Sequence, residues 1–200
     1  MGRQEICKGL LRAGTVKFGE FTYASGAKGP IYVDLRRLVS YPPEMKAVAR
    51  ALSAAVRKLG PVDLVLGAAT AGIPLATLVS VQTGIPMCYI RKEAKGHGTQ
   101  SQIEGAFEKG QRAVLLDDLI TSGASKRVFL DGAREAGLVV DDVLVVLDRR
   151  SADAPGDEEL GARLHSLVTL PEFLTHIRKT RAASEEDVVR AEAWLKGAPQ

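Results

Sequence analysis

Short runs of apolar residues recur along the middle of the chain, at positions 63–67, 86–90, 113–117 and 143–147. Each run has the length of a strand, and continuous apolar character is typical of a strand buried on both faces. Residues 73–82 and 125–136 lie between runs and space their apolar positions three and four apart, as a helix does. The alternation predicts an α/β fold with a doubly wound, mainly parallel sheet flanked by helices.

The chain before the first of these strands has a different pattern. Residues 4–12 have the spacing of an amphipathic helix, and residues 16–23 and 31–35 are predicted strands on either side of the turn-rich segment 25–30. These elements predict a small hood, built on a hairpin, over residues 1–40.

The rest of the chain is predicted to complete one domain. We assign residues 41–162 to the core and residues 163–200 to a C-terminal strand and helices of the same domain. Residues 151–161 are acidic and rich in turn formers, which predicts a surface loop. Residues 184–195 predict a capped helix, in which we interpret Trp194 as a packing residue.

Charge and cysteine content narrow the function classes. The 27 Lys and Arg residues against 24 Asp and Glu give a net charge of +3, and the basic residues are spread along the chain. This distribution argues against nucleic-acid binding. Cys7 and Cys88 have no disulfide-framework or zinc spacing, and no apolar stretch approaches the roughly 20 residues of a membrane span. We expect a cytoplasmic protein with reduced, buried thiols and no membrane contact.

Two acidic residues, Asp117 and Asp118, end the third predicted strand. In open α/β sheets, ligands bind at the carboxyl ends of the strands, where these side chains are expected. Residues 121–125 lead into a helix, whose N-terminal N–H groups favour a phosphate. Two carboxylates beside a phosphate repel it unless they bind something neutral or cationic, so ribose hydroxyls with a metal ion nearby suit them. An ordinary loop is the alternative.

The segment 113–125 resembles the signature by which type I phosphoribosyltransferases bind phosphoribosyl pyrophosphate. The resemblance implies that Asp117 and Asp118 hold the ribose hydroxyls. It also implies that the 5-phosphate is held by the residues that follow, which are Leu119, Ile120, Thr121, Ser122, Gly123, Ala124 and Ser125. The signature alone does not identify the base.

A basic segment follows the second predicted strand. It holds Arg91, Lys92 and Lys95 together with His97, among glycines and polar residues. A solvated charged surface has the same composition. A loop that closes over departing pyrophosphate would instead use these cations to stabilise the developing negative charge and to exclude water.

The sequence of this segment, RKEAKGHG followed by IEG, resembles the catalytic loop of orotate phosphoribosyltransferases. The resemblance implies a homodimer with shared active sites, in which Lys95 acts in the neighbouring subunit. It also implies that Arg91 and Lys95 neutralise the departing pyrophosphate, with Lys92 and His97 as further substrate ligands.

The segment 18–36 and Arg149 extend the same resemblance. It implies that Tyr32 lies near the orotate ring and that backbone groups around Val33 bond the ring's edge. Arg149 matches the arginine that faces the orotate, and the planar fork of arginine suits an anionic carboxylate because it can bond two acceptors at once. A plain hairpin explains the glycines of the segment but not the rest, and for Arg149 the alternative is a surface residue.

The chain departs from many members of the family at three positions. Ala24 stands where many carry a lysine, and Thr70 and Ala71 stand where many carry a Tyr-Lys pair. Another branch has the Ala-Thr-Ala-Gly form, in which residues 70–72 contact pyrophosphate through backbone and hydroxyl groups. Because two lysines are absent, we expect a change in the affinity for substrate more than in the activity itself.

The resemblance covers residues 16–150 and implies transfer of ribose 5-phosphate from phosphoribosyl pyrophosphate to orotate, in pyrimidine biosynthesis. Mg²⁺ is the implied cofactor, held mainly by the substrate, with Asp117 or Asp118 reaching it through water. A non-catalytic regulator of the same fold that binds RNA or DNA is one alternative, and a purine phosphoribosyltransferase is another. The complete basic loop argues against the first, and Arg149 argues against the second.

Overall fold

The first elements of the chain are a helix and a two-stranded hairpin, for which we keep the name hood. The protein is described by a computed structural model over residues 2–23, 26–93, 102–150 and 156–197. Helix α1 spans Arg3–Arg12, and strands β1 (Val16–Thr22) and β2 (Lys28–Val33) pair in antiparallel fashion. The hairpin is a separate two-stranded sheet.

The second hood strand differs from its prediction, because it spans Lys28–Val33 rather than residues 31–35. Residues Leu35–Ser40 form a 3-10 helix instead. The side chain of Asp34 accepts a hydrogen bond from the backbone N–H of Arg36 at 3.2 Å and caps this helix. An aspartate that caps the following turn ends the extended conformation there.

A six-stranded sheet lies at the centre of the fold. Its strands are β3 (Leu64–Ala68), β4 (Met87–Ile90), β5 (Ile103–Glu104), β6 (Arg112–Ile120), β7 (Val139–Asp148) and β8 (Arg163–Thr169). Their order is β5-β4-β3-β6-β7-β8, and all neighbours are parallel except β4 and β5. The predicted mainly parallel α/β sheet is confirmed.

Helices cover both faces of this sheet. They are α2 (Pro42–Val56), α3 (Gly72–Thr83), α4 (Ala124–Glu135), α5 (Asp157–Leu160), α6 (Leu170–Thr180) and α7 (Glu185–Gly197). Successive residues of a strand point to opposite faces, so Leu116 packs with Leu52 and Phe173 while Leu115 packs with Phe129. The two faces therefore bury separate apolar clusters, one against α1, α2, α3, α6 and α7 and the other against α4 and α5.

Three predicted boundaries differ from those of the structure. Strand β6 continues to Ile120, so Asp117 and Asp118 lie inside the strand rather than at its end. Strand β7 begins at Val139, four residues before the predicted start. Part of the predicted surface loop 151–161 is helical, because Asp157–Leu160 forms α5 before Gly161 ends it with a positive φ of 76°.

Two expectations from composition have structural counterparts. Cys7 and Cys88 are buried free thiols, and burial raises the pKa of both, that of Cys7 to about 11. Within the described part of the chain, no helix has the length and apolar character needed to cross a bilayer.

Candidate active site

Asp117 and Asp118 lie next to each other near the carboxyl end of β6. The backbone N–H of Asp118 donates to Oδ1 of Asp117 at 2.8 Å, and the N–H of Leu119 donates to Oδ1 of Asp118 at 2.7 Å. Because the backbone donors fix both carboxylates, the pair is held in one arrangement before any ligand binds.

A lysine that the sequence interpretation missed completes this pair. The Nζ atom of Lys126, in the first turn of α4, lies 2.5 Å from Oδ2 of Asp117. Only 4% of Lys126 and 7% of Asp117 are exposed, so the ion pair is buried. Two adjacent carboxylates favour a neutral or cationic partner, and Lys126 is one cation that the chain itself supplies. One signal in the sequence could have identified Lys126. It directly follows the Thr-Ser-Gly-Ala-Ser run, at the start of a predicted helix that comes soon after two acids.

The second acid sits in an environment that disfavours its charge. Burial and, second to it, the neighbouring Asp117 carboxylate together raise the pKa of Asp118 to about 7, despite the lowering effects of the Leu119 N–H and Lys126. A carboxyl group in this state takes up or releases a proton near neutral pH.

The N-terminus of α4 is open toward the same place. Gly123 precedes the helix with a positive φ of 80°, and no side chain caps the first N–H groups. Thr121 and Ser125 line the cavity in front of this helix end, whereas the side chain of Ile120 is buried in the core. An uncapped helix N-terminus with two hydroxyls beside it suits an anion.

The segment between β3 and α3 forms the opposite wall, with Thr70 and Ala71 facing the cavity. Gly72 begins α3 against β6, where a Cβ atom would collide with the carbonyl oxygen of Leu116. Glycine at this position lets the segment approach the strand that carries the two acids.

One cavity of about 370 Å³ joins these parts. It is lined by Val33, Asp34, Arg36, Ala69, Thr70, Ala71, Lys92, Asp117, Asp118, Leu119, Thr121, Ser125, Lys126 and Phe129. Residues from the hood, from three strand ends and from two helix starts therefore share one space. Sequence reasoning placed most of these segments at the site but did not single out Arg36, Lys126 or Phe129.

Arg36 is the cation that the hood brings to this cavity, together with the acid Asp34. Its Nε donates to Oδ1 of Asp34 at 2.6 Å, and one terminal nitrogen donates to the hydroxyl of Tyr32 at 3.2 Å. The guanidinium of Arg36 lowers the pKa of Asp34. Among the described residues that line the cavity, Arg36, Lys92 and Lys126 are cations. They supply positive charge at a site where Ala24 and Ala71 stand in place of the lysines that many family members carry.

Two residues predicted to face the base, Tyr32 and Arg149, are not among the described residues that line this cavity. Tyr32 belongs to the hood strand β2, and Arg149 directly follows strand β7. The backbone N–H of Arg149 donates to the carbonyl oxygen of Ile120 at 3.0 Å, which fixes Arg149 beside the end of β6. Its guanidinium is buried against the ring of Tyr23, at 4.5 Å from the ring centroid. The surface alternative for Arg149 is therefore wrong.

A backbone hydrogen bond joins the two ends of the predicted catalytic loop. The backbone N–H of Arg91 donates to the carbonyl oxygen of Gln102 at 3.0 Å, and its side chain forms an ion pair with Glu104 at 2.9 Å. Arg91 thus sits at the base of the loop, whereas Lys92 lines the cavity. Lys95 and His97 lie outside the described residues.

Comparison with known proteins finds relatives that share both sequence and fold. A family model described as the phosphoribosyl transferase domain matches residues 36–158. An orotate phosphoribosyltransferase of Methanosarcina acetivorans is 37% identical over 172 residues, which cover 86% of this chain and 91% of that protein.

Solved structures give the same result. The orotate phosphoribosyltransferase of Aeropyrum pernix is 33% identical with a TM-score of 0.76, over 90% of this chain and 99% of that one. The UMP synthase of Leishmania donovani is 35% identical with a TM-score of 0.88, and the match covers 98% of this chain but 42% of that longer protein.

Proposed function

The chain belongs to the orotate phosphoribosyltransferase family, and from this premise we propose how its residues divide the work of the reaction. The enzyme transfers ribose 5-phosphate from phosphoribosyl pyrophosphate to N1 of orotate, and it releases orotidine 5'-monophosphate and pyrophosphate in pyrimidine biosynthesis. One bond, from C1 of the ribose to a pyrophosphate oxygen, breaks, and one bond from C1 to N1 of orotate forms.

The observation that carries the proposal is the single cavity that joins the acid pair, the open N-terminus of α4 and residues 70–71. These are the groups that a ribose with phosphates at both ends requires. We assign the 5-phosphate to the helix N-terminus with Thr121 and Ser125, because N–H and hydroxyl donors there converge on one anion. The ribose hydroxyls then fall to Asp117 and Asp118.

Pyrophosphate occupies the opposite end of the cavity in this arrangement. Thr70 and Ala71 offer it backbone and hydroxyl donors, and Arg36 and Lys92 offer it charge. As the bond to C1 lengthens, negative charge develops on the pyrophosphate and positive charge on the ribose ring. The cations stabilise the negative charge on the pyrophosphate, and the carboxylates beneath the ring stabilise the positive charge on the ribose.

The base half of the site lies under the hood. We assign the carboxylate of orotate to Arg149, with Tyr32 beside the ring and backbone groups around Val33 at its edge. The end of β6 connects the two halves, because Ile120 bonds the backbone of Arg149 and lies two residues beyond Asp118. Orotate held this way presents N1 to C1 without a strong general base, because orotate N1 can react as an anion.

Mg²⁺ fits this site as an ion that arrives with the substrate. Within the described part of the chain, no group of three or more His, Cys, Asp or Glu side chains is placed to hold a metal ion. One oxygen of Asp117 is engaged by Lys126, which leaves the pair suited to contact through water. When bound, the ion would be held mainly by the substrate, with Asp117 or Asp118 reaching it through water, and it would offset negative charge on the phosphates.

A homodimer with shared sites forms part of the proposal. The paired stem at Arg91 and Gln102 starts and ends the predicted loop at the edge of the sheet. Residues 94–101 between the stems include Lys95, which we assign to the pyrophosphate of the neighbouring subunit's site. A symmetric dimer would repeat this exchange in both directions.

A spectrophotometric assay tests the activity and its metal requirement together. Orotate should disappear only when the purified chain, phosphoribosyl pyrophosphate and Mg²⁺ are all present, and a chelator should stop the reaction. Adenine, hypoxanthine and uracil serve as alternative acceptors. Consumption of a purine but not of orotate would indicate a purine enzyme. Failure to consume any base, with tight binding of nucleic acid, would favour the regulator.

A further inference from the structure

The C-terminal helix α7 reaches the hood through one side chain. Val188, Ala191 and Leu195 form the buried face of α7, and Trp194 extends that face toward β2. The indole Nε1 of Trp194 donates to the backbone carbonyl oxygen of Lys28 at 3.1 Å. The helix is therefore attached to the hairpin by a hydrogen bond as well as by packing.

The contact needs a glycine on the hood side. A Cβ atom at Gly29 would lie 2.8 Å from the indole of Trp194 and would also collide with the hydroxyl of Tyr23. Tyr23 in turn donates its hydroxyl to the carbonyl oxygen of Ile31 at 2.6 Å. Both aromatic rings are thus fixed against the backbone of β2, independently of any ligand.

Arg149 lies against both of these rings. Its guanidinium carbon is 4.5 Å from the ring centroid of Tyr23 and 5.2 Å from that of Trp194. The two ring centroids are 5.4 Å apart, with planes tilted by 46°. Only 8% of Arg149 is exposed. A guanidinium at these distances is attracted to aromatic faces, and the attraction is stronger where water is excluded.

We propose that Trp194 is a positioning residue of the acceptor site, through which the C-terminal helix holds Arg149 in the orientation that receives the orotate carboxylate. The proposal rests on the role assigned to Arg149 above. Arginine has a long side chain with many rotamers, and a guanidinium fixed in advance loses less freedom when the ligand binds. Trp194 then acts on orotate binding and leaves the phosphoribosyl pyrophosphate half of the site unchanged.

The kinetic test compares Trp194→Ala with Trp194→Phe and with Val189→Ala. Val189 lies on the same helix and is 49% exposed, so its variant controls for general effects on α7. Trp194→Ala should raise KM for orotate about tenfold, a factor that corresponds to about 1.4 kcal/mol. KM for phosphoribosyl pyrophosphate should stay within about twofold. Trp194→Phe keeps a ring beside Arg149 and should retain most of the orotate affinity.

A second measurement needs no variant and covers the case in which Trp194→Ala does not fold. Trp194 is the one tryptophan in the sequence, so tryptophan fluorescence reports on the surroundings of this side chain. Orotate should change the fluorescence saturably, after correction for its own absorbance, with half-saturation near its KM. Ribose 5-phosphate should leave the signal unchanged.

The outcomes separate this inference from the function itself. A wild-type chain that does not consume orotate would overturn the proposed function and the inference with it. If the wild-type chain consumes orotate, the proposed function stands, and either of two results would overturn the inference alone. One is that Trp194→Ala moves both KM values equally, as a structural effect would. The other is that orotate leaves the fluorescence flat.

Discussion

At the scale of single residues, Asp118 links catalysis to stability. Its folded-state pKa is raised, so the folded chain binds the proton more tightly than the unfolded chain does. Stability from this source is fully present at low pH and is lost as pH rises through about 7, where the buried carboxyl becomes charged. The charge that serves the ribose therefore destabilises the free enzyme.

Asp118→Asn should separate these two effects. Turnover should fall strongly, because the amide cannot supply negative charge beneath the ribose ring. The free variant should be more stable than wild type by on the order of 2 kcal/mol at about pH 8.5, and by much less at about pH 4, near the ordinary pKa of an aspartic acid. Urea unfolding at both pH values measures this difference. Near-normal turnover, or a stability difference that does not depend on pH, would contradict the role given to Asp118.

Lys126 is the second residue whose burial makes a prediction. Lys126→Met removes the partner of a buried carboxylate, which typically costs about 3 to 5 kcal/mol. Adding Asp117→Asn removes the uncompensated charge, so the double variant should regain most of the lost stability. Lys46→Met, at an exposed helix position, is the control. A double variant as unstable as Lys126→Met would show that the two side chains are not coupled.

The sequence predicts the identities of the acid pair but not its partner. Asp117 and Asp118 follow an apolar run directly, and that local pattern is enough to place them. Lys126 is nine residues from Asp117 and meets it only because α4 folds back beside β6. A lysine in an amphipathic helix usually lies on the solvent-exposed face, so the local sequence places Lys126 on that face and not beside Asp117.

At the scale of elements, the close approach of α3 to β6 shapes one wall of the site. Gly72→Ala should push α3 and residues 70–71 away from the acid pair, because the added Cβ meets the carbonyl oxygen of Leu116. We expect a stability loss of about 1 to 3 kcal/mol and a higher KM for phosphoribosyl pyrophosphate.

Gly156→Ala is the matched control for this change, since a Cβ there meets nothing within 4 Å and the backbone φ is −70°. Thermal unfolding and steady-state kinetics should leave the control unchanged. If Gly72→Ala kept the stability and the KM of the wild type, the close approach of α3 to β6 at Gly72 would not determine the position of this wall.

Buried strands and amphipathic helices follow from the sequence because their apolar periods are local. The ends of elements do not. Strand β6 runs past two acids to Ile120 because pairing with β7 continues there, from Leu119 to Leu147 and from Ile120 to Asp148. Polar residues suggest the end of a buried strand, but hydrogen bonds to a neighbouring strand decide it.

At the scale of the whole molecule, the proposal of shared sites can be tested by mixing two inactive variants. Lys95→Ala and Asp118→Asn should each be nearly inactive as homodimers. Unfolded, mixed and refolded together, they form heterodimers in which one site carries both defects and the other carries neither. With random pairing about half the dimers are mixed, so roughly a quarter of all sites should be wild type.

Each variant refolded alone supplies the baseline for this experiment. Activity near the expected fraction supports a loop that acts in the neighbouring subunit. If heterodimers form, as resolved by differently tagged chains, and activity stays at the baseline, Lys95 acts within its own subunit.

The central claim is that one site has two halves, with phosphoribosyl pyrophosphate at the acid pair and orotate at Arg149 under the hood. The steady-state kinetics of Arg149→Ala, with each substrate varied in turn, test it most directly. Loss of a charge-assisted contact should raise KM for orotate about 10- to 100-fold, while KM for phosphoribosyl pyrophosphate stays within about twofold. Equal increases in both KM values would contradict the division and remove Arg149 from the base half.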